Sequence, residues 1–167
     1  MITIISGTNR KDNVTKKVAL EYQRFLADLY RLESQLLSLD EVNMSVRNEA
    51  FVEVEANLLK PAVKFIIISP EYNGSYPGIL KLMIDNSDVS NVWWHKKVLL
   101  TGVSTGRAGN LRGMEHLTGC LLHMKMLVHP NRLPLSVVDT LMNADNQFAD
   151  QRTLGAINNQ LKEFINF

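Results

Sequence analysis

Phe65-Ile66-Ile67-Ile68-Ser69-Pro70-Glu71-Tyr72-Asn73-Gly74-Ser75-Tyr76-Pro77-Gly78 joins an unbroken apolar run to a stiff, turn-rich segment. Extended back to Val63, the run contains three consecutive isoleucines and no polar alternation. That is the pattern of a strand covered on both faces, as in a parallel sheet with helices above and below it. The segment after it has a different logic. Proline fixes φ and removes a donor, Asn73-Gly74 tolerates positive φ, and Pro77 suits the first turn of a helix that continues from Ile79 to Asn86.

Working outward from this strand, the same alternation recurs. Met1 to Ser6 reads as a first strand. Val14, Val18, Tyr22, Phe25 and Leu29 then step at helical spacing, with Lys16, Lys17, Glu21 and Arg24 between them. Leu36 to Leu39 suits a second strand, and Asn48 to Lys60 a helix that Pro61 stops. Lys97 to Val103 is a fourth strand, and Leu111, Met114, Leu117 and Leu121 mark a helix. Met126-Leu127-Val128 offers a fifth short strand, and Leu154, Ile157, Leu161 and Phe164 a final helix. Strands alternating with helices predict a doubly wound α/β sheet. In such a sheet ligands sit beyond the carboxyl ends of the strands where the winding reverses, so the loops after strands one, three and four should meet at one crevice.

Composition narrows the function classes. The 167 residues carry a formal net charge of +1 and are 46% apolar, which fits one globular domain over 1–167 and gives no electrostatic case for nucleic acid. Cys120 is the only cysteine, so neither an intramolecular disulfide nor a paired-cysteine zinc site can form, and a reducing cytoplasm is the expected setting. The amino terminus does not read as a signal peptide, and no apolar window approaches the roughly 20 residues that span a bilayer. His116 and His123 share one helix face but make no complete metal site, so no metal is expected.

The three loops carry the chemistry. Ser6-Gly7-Thr8-Asn9-Arg10-Lys11-Asp12-Asn13-Val14-Thr15 brings hydroxyls, amides and fixed positive charge to a helix start. Such a turn fits a phosphate dianion, or an ordinary N-cap with solvated basic residues. Neither Gly-x-Gly-x-x-Gly nor a Walker-type Gly-Lys-Ser/Thr is present there. The Ser69–Gly78 segment fits a rigid surface turn, or a seat for a planar heterocycle such as isoalloxazine, whose N1/C2=O edge gains negative charge on reduction and would be stabilised by outward amides. The third loop, Gly102-Val103-Ser104-Thr105-Gly106-Arg107-Ala108-Gly109-Asn110, begins with Gly-x-Ser-x-Gly, the nucleophile elbow of α/β-hydrolases. An esterase using Ser104 would need an acid and then a histidine downstream, yet no histidine follows Asp139.

Taken together, these loops resemble the NADPH-dependent FMN reductases, flavodoxin-like proteins that include quinone, chromate and azo-dye reductases. The likeness is carried by Pro70 to Gly78 continuing into Leu80-Lys81 and Ile84-Asp85, with Ser6 to Thr15 and Ser104 to Gly113 in support. It implies a flavodoxin-like three-layer sandwich, with a five-stranded parallel sheet in the order 2-1-3-4-5. It further implies that Thr8, Arg10, Asn13 and Thr15 bind the FMN phosphate, that Pro70, Glu71, Tyr72, Asn73 and Gly74 line the ring, and that Ser104, Thr105 and Gly106 close the other side.

The implied activity is hydride transfer from NADPH, or NADH, through FMN to a quinone, chromate, azo dye or similar small-molecule acceptor in ping-pong order, with no catalytic side chain required. An electron-transfer flavoprotein without reductase turnover is the alternative. Homodimers or homotetramers are implied as well, which makes Trp93 and Trp94 candidates for a subunit contact, with core packing the competing role. Three positions depart from the family pattern: Asn86 where tryptophan is frequent, Asp12-Asn13 where Gly-Ser is frequent, and Met124-Lys125 in place of a glycine turn.

Overall fold

The computed structural model describes residues 1–167. In chain order its elements are β1 (Ile2–Ser6), α1 (Val14–Tyr30), β2 (Ser34–Ser38), α2 (Glu49–Val54), β3 (Lys64–Pro70), α3 (Gly78–Asn86), α4 (Val89–Val92), β4 (Lys97–Val103), α5 (Leu111–His123), β5 (Leu127–Val128), β6 (Leu133–Leu135) and α6 (Gln151–Asn166). The strands pair in parallel in the order β2-β1-β3-β4-β5, the flavodoxin-like arrangement. The isoleucine run explains why β3 lies at the centre. Phe65 and Ile67 enter one core with Leu80, Met83, Trp93, Met114 and Leu117, while Ile66 and Ile68 enter a second with Val18, Tyr22, Leu26, Ile157 and Leu161. Each face of the strand is sealed by helices.

The fifth ladder position differs from the expected single strand. It is shared by β5, which pairs with Lys97-Val98, and β6, which pairs with Thr101 to Val103. Between them Pro130 supplies no N–H, and the edge of β4 is completed by a side chain instead: Gln160 Nε2 donates to the Leu100 carbonyl at 3.1 Å and to Asn131 O at 2.8 Å. The segment expected as one helix up to Pro61 is α2 followed by a π-helical turn over Glu55–Leu59. Within it the Glu55 carboxylate, fully buried, accepts from Arg47 at 2.8 and 3.0 Å and from the Asp88 amide at 2.8 Å, and pairs with Lys60.

Pro77 stands just ahead of α3 as its N-cap rather than inside the first turn. The two tryptophans separate. Trp93 is core, 5.0 Å from Phe65 between ring centroids and donating to Ser87 Oγ, whereas Trp94 is exposed under the Lys125 ammonium. No helix is long and apolar enough to cross a membrane.

Candidate active site

Parallel register aligns the ends of three neighbouring strands, with Ser6 of β1 beside Ile68 of β3 and Pro70 of β3 beside Val103 of β4. The three loops leave from this rim and close on one another. Gly7 N donates to Ile68 O, Glu71 N to Val103 O, and Ser104 N to Leu135 O, so each loop is anchored to its neighbour within a residue of its strand.

All of the predicted site residues line one of two adjoining hollows. Thr8, Arg10, Asn13, Thr15, Pro70, Glu71, Tyr72, Ser104 and Thr105 line a cavity of about 360 Å³. Asn73, Gly74 and Gly106 line a second of about 350 Å³, whose wall also includes Glu71, Ser104 and Thr105. Each is of small-molecule size.

In the first hollow the amides of Lys11, Asp12, Asn13, Val14 and Thr15 make no hydrogen bond within the chain. Their N–H groups and the start of α1 favour an anion. Asn13 contributes less than its position promised, because its carboxamide is engaged as the helix cap: Oδ1 accepts from Lys16 N at 2.7 Å and Nδ2 donates to Arg10 O at 2.6 Å. The Thr15 hydroxyl, on a residue 2% exposed, has no partner inside the chain. Arg10 forms no ion pair, and its guanidinium lies 4.1 Å above the Tyr72 ring centroid. Asp12 and Asp139 share the same wall. Asp139 follows β6 on a short 3-10 turn and belongs to none of the three loops, so the sequence offered no signal for it.

The second loop is a tight hairpin. Tyr72 and Ser75 exchange backbone hydrogen bonds of 2.8 and 3.0 Å across Asn73 (φ 52°) and Gly74 (φ 74°). Two successive positive φ angles make an Asn-Gly type I′ turn, which leaves the Asn73 and Gly74 amides unpaired. Facing them, the amides of Thr105, Gly106, Arg107 and Ala108 are likewise unpaired. The second hollow is therefore walled on two sides by free donors.

Glycines allow the third loop to settle this closely. A Cβ on Gly102 would stand 2.1 Å from Gly109 O, and one on Gly113 would stand 1.9 Å from Asn110 Oδ1. Asn110, which sequence reasoning missed as a site residue, is fully buried in the left-handed region at φ 60°. Its Nδ2 donates to Ser69 O and Pro70 O, and its amide donates to Glu71 Oε2 at 3.2 Å. Ser104 is not arranged as a nucleophile. Its hydroxyl donates to Gly106 O at 2.7 Å and accepts from Gly109 N at 2.8 Å, while the imidazole in this region, His116, meets Ser75 Oγ at 2.9 Å. The Gly-x-Ser-x-Gly motif here shapes a loop.

Comparison with known proteins identifies the family. The sequence model of the NADPH-dependent FMN reductase family matches residues 1–137. The chain belongs to that family. Within the similarity to curated proteins, it is 28% identical over 142 residues to an NADPH azoreductase of Bacillus sp. (strain OY1-2), covering 82% of this chain and 75% of the relative. It is 26% identical over 138 residues to a 2-hydroxy-1,4-benzoquinone reductase of Burkholderia sp, covering 76% and 73%. Among solved structures, FerB, a flavoenzyme NAD(P)H:(acceptor) oxidoreductase from Paracoccus denitrificans, superposes with a TM-score of 0.80 at 24% identity, over 99% of this chain and 94% of that one. FMN reductase family membership extends through β6, and α6 lies beyond the matched residues.

Proposed function

We propose that the chain is an FMN-dependent NAD(P)H oxidoreductase acting on quinone, azo or similar electron-poor acceptors. The observation that carries this reading is the pair of contiguous hollows, one rich in anion donors and the other walled by unpaired amides, joined through Glu71, Ser104 and Thr105. The residues fit the two ends of FMN. Thr8, Arg10, Thr15 and the free amides at the start of α1 would hold the phosphate, with Asn13 contributing its main chain. Pro70, Glu71, Asn73, Gly74, Ser104, Thr105 and Gly106 would border the ring, and the unpaired amides favour the negative charge that builds on its N1/C2=O edge. Bound there, FMN supplies the hydride-accepting and hydride-donating chemistry.

The chain's own part is binding, orientation and electrostatic stabilisation. No acid, base or nucleophile is asked of it. One open site serving donor and acceptor in turn implies ping-pong kinetics. A soluble single-domain enzyme over 1–167, homodimeric or homotetrameric and cytoplasmic, is the setting we assign. The test is direct: purified protein is titrated with FMN while flavin fluorescence is followed, and NADPH oxidation is then measured with and without quinone. Saturable FMN uptake and quinone-stimulated turnover are expected. Protein that ignores FMN overturns the reading, and FMN binding without turnover supports the electron-carrier alternative in its place.

A further inference from the structure

Tyr72 belongs to the second loop, yet its side chain turns toward the first. It lines the hollow with Thr8, Arg10 and the start of α1, and takes no part in the hollow lined by Asn73 and Gly74. Its hydroxyl lies 2.5 Å from Thr8 Oγ1, and one face of its ring is covered by the Arg10 guanidinium. The type I′ turn that begins at Tyr72 fixes the backbone from which the side chain projects.

Donor accounting gives the pair a direction. Two hydroxyls carry two protons, and their mutual hydrogen bond uses one. Thr8 Oγ1 is already approached by the Arg10 amide at 3.3 Å. Whichever hydroxyl donates to the other, one O–H is left over on the wall of a hollow that also presents unpaired amides and an uncompensated guanidinium. An acceptor-only, negatively charged group completes that set.

Resting on the flavin reading above, we propose that Tyr72 is a phosphate-end residue and not a ring-stacking one: with Thr8 and Arg10 it recognises a phosphate monoester and makes the site discriminate FMN from unphosphorylated riboflavin. Asp12 and Asp139 stand on the same wall and oppose the anion, so a neutral donor that adds affinity without adding charge beside them has a defined use.

The experiment compares the affinity of FMN and riboflavin, by flavin fluorescence titration, in the wild type and in Tyr72→Phe. Removing one hydrogen bond to a charged group is expected to weaken FMN by on the order of tenfold to a hundredfold and to leave riboflavin unchanged. Equal weakening of both ligands, which a ring contact would produce, overturns the proposal, as does unchanged FMN affinity. Thr8→Val serves as the second variant, and folding of each is checked by circular dichroism. It should show the same FMN-selective loss, and selective loss in neither overturns the proposal. A wild type that binds neither ligand overturns the flavin reading itself, and the two failures are thereby told apart.

Discussion

Asn110 Nδ2 lies 2.9 Å from the carbonyl oxygen of Ser69, and so ties the third loop to the end of β3. The same amide group reaches Pro70 O at 3.0 Å, so one buried side chain adds a second donor to a ladder carbonyl and serves the Pro70 carbonyl, which has no backbone partner. Asn110→Gly keeps the positive φ and removes the carboxamide. It should cost about 1–3 kcal/mol in denaturant unfolding, the penalty for leaving the Pro70 carbonyl without its donor, and should weaken FMN binding through the displaced loop.

Asp12 places a carboxylate on the wall of the hollow that otherwise gathers cationic and neutral donors. Asp12→Asn should tighten FMN roughly fivefold at low salt, since a like charge near the phosphate is removed. The gain should shrink as ionic strength rises, and titration at two salt concentrations checks it.

Glu55 governs acid stability. The Arg47 guanidinium, helped by the Asp88 amide and Lys60, holds its carboxyl down to about 2. A depressed carboxyl stabilises the fold above its unfolded pKa, and that contribution disappears as pH falls from the ordinary carboxylate range toward 2. Arg47 and Lys60 are each more than a third exposed, so screening reduces the effect to about 2 kcal/mol. Unfolding free energy measured against pH should fall through that window in the wild type, and Glu55→Gln should flatten this part of the profile.

Gly102, near the end of β4, and Gly106, in the loop that follows, should respond differently to a methyl group. Gly102→Ala would put a methyl 2.1 Å from Gly109 O and should cost more than about 3 kcal/mol, because backbone must move. Gly106→Ala meets nothing within 4 Å and should change stability by less than about 0.5 kcal/mol. Melting curves of the two variants decide this.

What the sequence made legible is what local chemistry encodes. The Ile66–Ile68 run places β3, and Asn73-Gly74 places a tight turn, because each needs only its immediate residues to declare its preference. β6 was hidden: Leu133-Pro134-Leu135 is three residues long with a proline at its centre, which is tolerated because Leu133 and Leu135 carry the ladder to Thr101–Val103, about thirty residues earlier, while Pro134 faces the free edge. Asn110 reads only as the last residue of a polar, glycine-rich turn, since its partners at Ser69 and Pro70 are distant in the chain. The direction of Tyr72 was equally invisible. Its loop argues for the ring, and only the fold brings Thr8, on a different strand end, within reach of its hydroxyl.

The divided outer edge has a consequence for association. With only Leu127-Val128 and Leu133–Leu135 along that side, and a glutamine amide closing the gap at Leu100, the border offers no continuous row of free donors and acceptors. Another chain cannot extend the sheet there by adding a strand, which removes one route to fibrillar aggregation. The continuous border of the sheet is the opposite one, β2, over Ser34–Ser38.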